Sequence, residues 1–294
     1  DNRWWASRLA APLEGALTTL LRLQCPDFIV SVHPLCHGAA LGALKRMGVN
    51  VPVAVLVTDL LDIHAAWQAA GVSLFLAPTE GAARQLVYQG CPSNSVHPVG
   101  LPVQSDFGNG NGQKATLRLR LGLDPDKPTI LVTGGGEGAG PLERAARTIA
   151  RTLPHAQMVI VCGRNESLHR RISASGLPAR ILGFVENMAQ WMQACDVVVA
   201  KAGAVTVAEA VAARRPLLII SALPGQEKGN LRFVLDSGIG AYTPPGPPLA
   251  QALRALEAQD YRPAGWLANM AKVDRPLASD QAASLLIERA AIHA

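Results

Sequence analysis

A short loop of small residues between an apolar run and a helical pattern is the first feature that points to chemistry. Residues 197–200 are apolar, and Gly203, Ala204, Val205 and Thr206 follow, with an apolar helical pattern that begins at Thr206. The first N–H groups of a helix have no partners within it, and the helix dipole adds positive charge there. The loop therefore predicts an anion-binding site of the kind that holds phosphate.

Glu209 lies three residues after Thr206, and this spacing has two interpretations. In a capping box, Thr206 caps the helix while Glu209 accepts a bond from the Thr206 amide, and spacing alone favours this role. In the other interpretation, the carboxylate binds sugar hydroxyls beside a bound phosphate. The next apolar run is followed by a second polar cluster, which contains Gln226, Glu227 and Asn230.

A glycine-rich loop at residues 134–140 also joins an apolar run to a helical pattern, so its amides can approach a phosphate. It is not a P-loop, because no Gly-Lys-Ser/Thr ends it, but Gly134, Gly136 and Ala139 match the G-x-G-x-x-A pattern of dinucleotide-binding domains. In that pattern an acidic residue follows about 20 residues later, at the end of the next strand. This chain has Arg164 near that position, and an arginine there can bind the 2′-phosphate of NADP. An NADP-dependent oxidoreductase is therefore an alternative, as is a turn that merely packs a helix on a sheet.

Candidate acid and base groups follow two apolar runs nearer the N-terminus. Asp59 ends one of these runs, and His64 comes five residues later. Such a pair can take a proton from a substrate hydroxyl. The alternative is that Asp59 caps the next helix and His64 lies on its surface. His33, which precedes Pro34, is a similar case at the end of an earlier run.

Composition narrows the class of protein. The chain has 294 residues and is 49% hydrophobic, which suits about two domains with ample core. Its five cysteines show no CxxC spacing and its seven histidines no HExxH pattern, which favours a reduced, cytoplasmic protein without a metal site. The net charge of +5 suits anionic ligands, whereas the 4% aromatic content does not suggest nucleic-acid binding. No apolar run approaches the roughly 20 residues of a transmembrane helix, and no signal peptide is recognised.

Strand-length apolar runs alternate with helical patterns, which predicts parallel sheets with crossover helices and ligands at the carboxyl ends of the strands. The predicted strands are residues 28–32, 51–57, 72–77, 96–99, 129–133, 158–162, 197–200 and 217–220, with a short strand and turn at 181–185 and a last strand or turn at 238–243. Residues 104–113 are polar and glycine-rich. We therefore expect domains at 1–104 and 114–276, a linker at 105–113, and a C-terminal helix at 277–294 that packs back on the first domain.

The ordered set of motifs resembles the monogalactosyldiacylglycerol synthase-type glycosyltransferases and, more distantly, the N-acetylglucosaminyltransferase that makes lipid II. The residues that carry this resemblance run from about position 27 to 240, and they are Ser31-Val32-His33-Pro34, Val57-Thr58-Asp59-Leu60 with His64 and Trp67, Val99-Gly100-Leu101-Pro102-Val103, Gly134-Gly135-Gly136-Glu137-Gly138, Val161-Cys162-Gly163-Arg164-Asn165, Gly183-Phe184-Val185, Lys201-Ala202-Gly203 with Thr206, Glu209 and Ala210, and Gly225-Gln226-Glu227 with Gly229-Asn230.

The resemblance implies an α/β fold of two facing Rossmann-like domains, the GT-B glycosyltransferase architecture, with the first domain truncated at its N-terminus. It implies transfer of a hexose from UDP-galactose or UDP-glucose to a lipid such as 1,2-diacylglycerol, with inversion and with neither metal nor cofactor. The implied donor-binding residues are Gly135, Gly136, Glu137, Arg164, Phe184, Val185, Lys201, Gly203, Ala204, Val205, Thr206, Glu209, Gln226, Glu227 and Asn230.

Individual roles follow from the same resemblance. The loop at residues 203–206 would bind the diphosphate, and Glu209 would bind the ribose hydroxyls, which moves the expectation for this residue from cap to ligand. Phe184 and Val185 would border the uracil. Gln226 and Glu227 would bind the sugar hydroxyls with support from Asn230. The catalytic candidates Asp59, His64 and His33 come instead from their residue types and positions, since the family's usual candidate base is the histidine of a Gly-Gly-His loop.

The chain also departs from the family pattern. The family's first strand and its Gly-Gly-His loop do not occur before Asp1. A non-catalytic nucleotide-sugar-binding fragment is therefore a third hypothesis. Trp4 and Trp5, together with the lipid acceptor, suggest that the protein is peripheral to a membrane surface.

Overall fold

The structure is a computed structural model that describes residues 3–108, 114–225, 227–258 and 262–291. The chain divides into two compact units. The first unit consists of Asp1–Pro102 together with Leu277–Ala294, and the second unit is Val103–Pro276.

The described residues form strands and helices in alternation over most of the chain. The strands are β1 (Ile29–Ser31), β2 (Val53–Leu56), β3 (Leu74–Ala77), β4 (Val96–Pro98), β5 (Thr129–Thr133), β6 (Gln157–Val161), β7 (Arg180–Leu182), β8 (Val197–Lys201), β9 (Leu217–Ser221) and β10 (Gly240–Tyr242). The helices are α1 (Arg3–Gln24), α2 (Cys36–Met47), α3 (Glu80–Tyr88), α4 (Lys114–Arg120), α5 (Leu142–Thr152), α6 (Glu166–Ser173), α7 (Met188–Ala194), α8 (Ala204–Ala212), α9 (Lys228–Asp236), α10 (Pro247–Glu257), α11 (Arg262–Val273) and α12 (Ala278–Ala291). No helix among these residues has the length and apolarity to cross a bilayer.

The first unit is built on a parallel sheet in the order β1-β2-β3-β4. Successive residues of a strand point to opposite faces, so each strand supplies two cores. Val55 and Phe75 pack in a core shared with α3, whereas Ala54 and Leu74 pack with Ala282 of α12 on the other face. The C-terminal helix therefore covers one face of the first sheet.

The second unit contains a parallel sheet in the order β10-β9-β8-β5-β6-β7. The chain builds outward from β5 through β6 to β7, and then continues on the other side of β5 with β8, β9 and β10. This is a doubly wound sheet, and its topological switch point lies between β5 and β8. Ligands of such sheets bind at the carboxyl ends of the two strands that flank this point.

The predicted linker is not uniformly exposed. Ser105–Phe107 forms a short 3-10 turn, and Phe107 is only 3% exposed. The Gln193 side chain of α7 donates hydrogen bonds to the carbonyl oxygens of Asp106 and Phe107. The expectation that this segment has little to bury is therefore wrong for Phe107, while residues 109–113 lie outside the described residues.

A buried arginine ties α4 to the amino ends of the two central strands. Arg118 Nη2 lies 2.6 Å from Asp196 Oδ2, and its Nε donates to the Ala194 carbonyl at 2.8 Å. The Asp196 carboxylate also accepts bonds from Thr129 N at 2.7 Å and from Lys114 Nζ at 2.6 Å. Burial alone would raise the pKa of Asp196, but the bonds from Lys114 and Thr129 bring it below the ordinary value for aspartate.

We expect Arg118→Met to lower the free energy of unfolding by roughly 2 kcal/mol, because it removes charge-assisted bonds and leaves the Ala194 carbonyl unpaired. The cost stays moderate since the Asp196 side chain is 39% exposed and keeps Lys114. Urea denaturation measures the difference. Arg120→Met, which alters an exposed arginine of the same helix, should change stability by less than about 0.5 kcal/mol. If both variants change the free energy of unfolding equally, Arg118 does not have this structural role.

Candidate functional site

Glycines let the loops after β5 and β6 touch through their backbones. Gly138 and Gly163 both have a φ of +57°, a region that side chains disfavour. A Cβ at Gly138 would lie 2.0 Å from the Cys162 carbonyl oxygen, and one at Gly163 would lie 2.2 Å from that of Gly136. The Arg164 amide donates to the Gly136 carbonyl at 2.7 Å. The loops therefore form one continuous backbone surface at the carboxyl edge of the sheet.

The loop after β8 begins its helix two residues earlier than the sequence predicts. Gly203 is the N-cap of α8, with an extended conformation and no side-chain cap, and Ala204 and Val205 are already helical. Alanine is the strongest helix former, so nothing in these residues delays the start. Thr206 therefore lies inside the first turn and is buried, and Glu209 lies too far along the helix for a capping box. The capping interpretation of Glu209 is wrong.

The two glycine-containing loops meet at the switch point. A Cβ built on Gly135 would lie 3.8 Å from Lys201 Cε and 4.0 Å from Thr206 Oγ1. A Cβ built on Gly203 would lie 3.1 Å from Lys201 Nζ and 3.8 Å from both Thr206 Oγ1 and Glu227 Oε1. An ammonium, a hydroxyl and a carboxylate thus surround the uncapped amides at the start of α8. We name this arrangement the cradle, formed by Gly135, Lys201, Gly203, Thr206 and Glu227.

Glu227 and Asn230 lie at the start of α9, beside the cradle. Glu227 forms an ion pair with Lys201 through Oε1 and accepts a bond from the Leu223 amide through Oε2 at 3.0 Å. Asn230 Nδ2 donates to the Ala202 carbonyl at 3.0 Å, which ties α9 to the loop after β8. Glu227 and Asn230 are 5% and 3% exposed, so both are fixed in position. Gln226 lies outside the described residues.

Glu209 is a partly buried carboxylate without a partner among the described residues. Burial raises its pKa to about 7, and no hydrogen bond or positive charge offsets this effect. A carboxylate in this state gains from any ligand that donates hydrogen bonds, because desolvation leaves its oxygens unpaired. The group is therefore suited to bind the hydroxyls of a ligand.

Arg164, Glu137 and Phe184 form an exposed group at the ends of β5, β6 and β7. Arg164 Nη1 pairs with Glu137 Oε1 at 3.2 Å, and its guanidinium lies 4.5 Å from the centre of the Phe184 ring. Phe184 is 54% exposed and Val185 is partly buried. Planar groups of this kind can border a nucleotide base. Of the other predicted donor-binding residues, Gly136 contacts Arg164, Ala204 is partly buried and Val205 is exposed.

The three predicted catalytic residues lie in the first unit. Asp59 Oδ2 accepts a 2.6 Å hydrogen bond from Trp67 Nε1. His64, rather than Asp59, caps the following 3-10 turn, because its Nδ1 accepts a bond from the Ala66 amide at 3.0 Å. The idea that Asp59 caps the next helix is therefore wrong. Burial raises the pKa of Asp59, while the Trp67 bond and the nearby His64 and His33 oppose that rise.

His37 is a candidate that the sequence reasoning missed. It is 1% exposed, its ring stacks on Trp67 with centroids 6.1 Å apart, and neither ring nitrogen completes a hydrogen bond with any of the described residues. Burial lowers its pKa, against smaller opposing effects from the backbones of Ala66 and His33. Its place four residues after the candidate His33 was the one available signal in the sequence.

Helix α3 fixes the loop that carries Asp59 and His64. Thr79 Oγ1 donates to the Leu60 carbonyl at 2.8 Å. Gln85 accepts a bond from the Ile63 amide at 2.7 Å, and Gln89 donates to the Ile63 carbonyl at 2.8 Å. The acid and base candidates thus sit on a loop held at both ends. Within the described residues, no group of three or more His, Cys, Asp or Glu side chains could hold a metal ion.

Both units match known families. Residues 2–103 match the family model described as Monogalactosyldiacylglycerol (MGDG) synthase, and residues 129–231 match the Glycosyltransferase family 28 C-terminal domain. The chain belongs to the monogalactosyldiacylglycerol synthase family. This confirms the resemblance seen in the sequence motifs.

Plant members of the monogalactosyldiacylglycerol synthase family show the extent of the match. A probable monogalactosyldiacylglycerol synthase 2 of Oryza sativa subsp. japonica is 37% identical over 74% of this chain and 49% of its own length. Monogalactosyldiacylglycerol synthase 3 of Arabidopsis thaliana is 34% identical over 82% of this chain and 54% of its own length. The chain thus spans about half the length of these relatives. Their names describe them as chloroplastic, and the cytoplasmic setting expected for this chain stays a prediction.

Solved structures confirm the fold class. The chain is similar to UDP-GlcNAc 2-epimerase from Neisseria meningitidis bound to UDP-GlcNAc, with a TM-score of 0.70, 15% identity, and coverage of 98% of this chain and 83% of that one. It is similar to MurG from Acinetobacter baumannii, with a TM-score of 0.65, 18% identity and coverage of 94% and 77%. Anabaena HepE in complex with UDP gives a TM-score of 0.62 at 18% identity, with coverage of 95% and 82%. At these identities the likeness concerns the fold alone, an α/β fold with parallel sheets of the GT-B type.

The state of Glu209 gives a prediction about stability and pH. Because its folded-state pKa lies near 7, above the ordinary 4.5, the folded protein binds this proton more tightly than the unfolded chain does. Stability is therefore lost as the pH rises through the folded pKa. Relative to Glu209→Gln, we expect the wild type to lose roughly 2–3 kcal/mol of unfolding free energy between pH 4 and pH 8.

Urea denaturation of both proteins at several pH values measures this difference. Glu288→Gln is the matched control, since it makes the same charge change at an exposed position. A pH dependence of Glu209→Gln that equals that of the wild type would show that Glu209 titrates normally.

Proposed function

We propose that the protein is a glycosyltransferase that moves a hexose from UDP-galactose or UDP-glucose to a lipid hydroxyl, such as that of 1,2-diacylglycerol. The observation that carries this proposal is the cradle at the switch point of the second sheet. Uncapped helix amides, a lysine ammonium and a carboxylate meet there, as a nucleotide diphosphate attached to a sugar requires. The family and the uridine nucleotides bound by two of the similar structures support a UDP-sugar as the ligand.

On the donor side, the backbone amides at Gly203–Thr206, the helix dipole and Lys201 stabilise the diphosphate as it leaves. Charges fixed in advance around a leaving group lower the barrier without reorganisation at the moment of reaction. This arrangement supplies the positive charge from the protein, so the proposed reaction uses no metal and no cofactor. The UDP-sugar is a substrate.

The carboxylates of Glu209 and Glu227 accept hydrogen bonds from the hydroxyls of the donor. Glu209 accepts hydrogen bonds from the ribose, which its unpaired oxygens favour. Glu227 accepts bonds from the hexose hydroxyls together with Gln226, and Asn230 ties α9 to the loop after β8. Phe184 and Val185 border the uracil, with Arg164 beside it.

On the acceptor side, Asp59 removes the proton of the lipid hydroxyl. Burial raises its pKa, which makes the carboxylate a stronger base, and Trp67 fixes its orientation. His64 and His33 lie near enough to influence its charge and assist the transfer. The hydroxyl oxygen then bonds to the anomeric carbon as the bond to the diphosphate breaks, with inversion of that carbon. The protein acts on its lipid while peripheral to a membrane surface.

The family match supports a UDP-sugar over the NADP-dependent alternative. That alternative needs Arg164 to leave its exposed pair with Glu137 and receive a 2′-phosphate. Calorimetric titration of UDP, UDP-galactose, UDP-glucose and NADPH separates the two functions. We expect binding of the uridine ligands, and binding of NADPH alone would overturn the proposal. Transfer of labelled hexose to diacylglycerol in mixed micelles separates an enzyme from a non-catalytic nucleotide-sugar-binding protein.

We expect Glu209→Ala to weaken UDP binding by about 1–3 kcal/mol, because the ribose hydroxyls lose their acceptor. Isothermal titration calorimetry measures this change. Glu166→Ala, at an exposed position on α6, should leave the affinity as it is. If the wild type and Glu209→Ala bind UDP with equal affinity, Glu209 does not contact the nucleotide.

We expect Asp59→Asn to lower kcat for hexose transfer by about 10²–10⁴-fold, since an amide cannot accept the acceptor proton. The affinity for UDP should change by less than about twofold, because Asp59 lies outside the unit that holds the cradle. Asp62→Asn is the control, as it alters an exposed carboxylate of the same loop. If Asp59→Asn has a normal kcat, or if Asp62→Asn loses as much kcat as Asp59→Asn, Asp59 is not the catalytic base.

A further inference from the structure

Lys201 and Glu227 form a buried ion pair beside the uncapped start of α8. Their side chains are 17% and 7% exposed. Both oxygens of Glu227 are engaged, since Oε1 meets Lys201 Nζ and Oε2 accepts the Leu223 amide at 3.0 Å. A pair this buried is held strongly, because little water screens the two charges.

The lysine ammonium lies between this carboxylate and the backbone amides. A Cβ on Gly203 would come within 3.1 Å of Lys201 Nζ, while Thr206 Oγ1 would be 3.8 Å from the same point. Among the described residues, Glu227 is the one side chain that accepts a bond from Nζ. An ammonium has three donors, so it can also meet a second anion that arrives at these amides.

We propose that Lys201 is a positioning residue that exchanges between Glu227 and the diphosphate. In the empty site Lys201 holds Glu227 through Oε1. When a nucleotide diphosphate binds at the start of α8, its negative charge draws Lys201 away and frees Oε1 to accept bonds from hexose hydroxyls. This inference rests on the proposed function of the cradle, and it adds an order of events and a reason for the ion pair.

The exchange has a thermodynamic signature. Glu227 and the diphosphate compete for the ammonium of Lys201. Each therefore weakens the interaction of the other with Lys201, and this coupling is reciprocal. Neutralising Glu227 should therefore strengthen the binding of UDP, although Glu227 belongs to the proposed site. A purely structural ion pair predicts the opposite sign, because its loss would loosen the cradle and weaken every ligand.

The test is a calorimetric titration of UDP and of UDP-hexose against the wild type, Glu227→Gln, Lys201→Met and the double variant. We expect Glu227→Gln to bind UDP about 5- to 50-fold more tightly and to lose any preference for UDP-hexose over UDP. Lys201→Met should bind both ligands at least about tenfold more weakly. In the Lys201→Met background, Glu227→Gln should no longer strengthen UDP binding, because the shared cation is absent.

Three controls keep folding separate from binding. Glutamine keeps the shape of Glu227 and the bond from Leu223, and thermal unfolding of each variant shows whether it folds. Lys201→Arg keeps the charge and should bind UDP within about threefold of the wild type. Asp236→Asn removes a carboxylate from an exposed ion pair on the same helix and should leave UDP affinity unchanged.

The outcomes separate this inference from the proposed function. If the wild type binds UDP but Glu227→Gln binds it equally or more weakly, the exchange is wrong while the UDP site stands. The same holds if the two substitutions act additively on UDP affinity. If the wild type binds neither UDP nor UDP-hexose, the proposed function and the exchange are both overturned.

Discussion

The absence of side chains at a few glycines is the constraint on which the proposed donor site depends. A Cβ at Gly138 or Gly163 would lie 2.0 or 2.2 Å from a carbonyl oxygen of the neighbouring loop. Because hydrogen alone occupies these positions, the loops after β5 and β6 make backbone contact. Gly135 and Gly203 in turn leave open the space that Lys201 borders. The cradle is thus a space that side chains do not fill, at the point where the strand order reverses.

Buried and partly buried polar groups differ in whether their hydrogen bonds are satisfied. Arg118 and Asp196, at the amino ends of the central strands of the second sheet, are fully engaged and serve stability. Glu209 is partly buried and His37 is buried, and neither side chain completes a hydrogen bond among the described residues, which costs stability and is typical of functional sites. One of these lies in each unit, beside the groups proposed to act on the donor and on the acceptor.

Local sequence pattern predicts the strands well. Each of the ten strands in the described residues falls on a predicted strand, because short apolar runs bounded by polar turns suit parallel strands buried on both faces. No helix was predicted at α4, α6, α9 or α11, and α4 and α6 are short polar segments with little apolar periodicity. The start of α8 was misplaced because Thr206 is a common N-cap, whereas Gly203 reaches the extended conformation of a cap without a side-chain bond.

The sequence by itself determined the alternation of strands and helices, the glycine loops and the polar residues at strand ends, since each depends on residues close together in the chain. The tertiary structure alone decided which of these residues meet. Lys201 and Glu227 are paired across 26 positions of sequence, and the partly buried Asp59 accepts a hydrogen bond from Trp67 instead of capping a helix. Burial also sets the charge state of Glu209. Contacts and burial of this kind depend on strand order and helix packing, which no local pattern encodes.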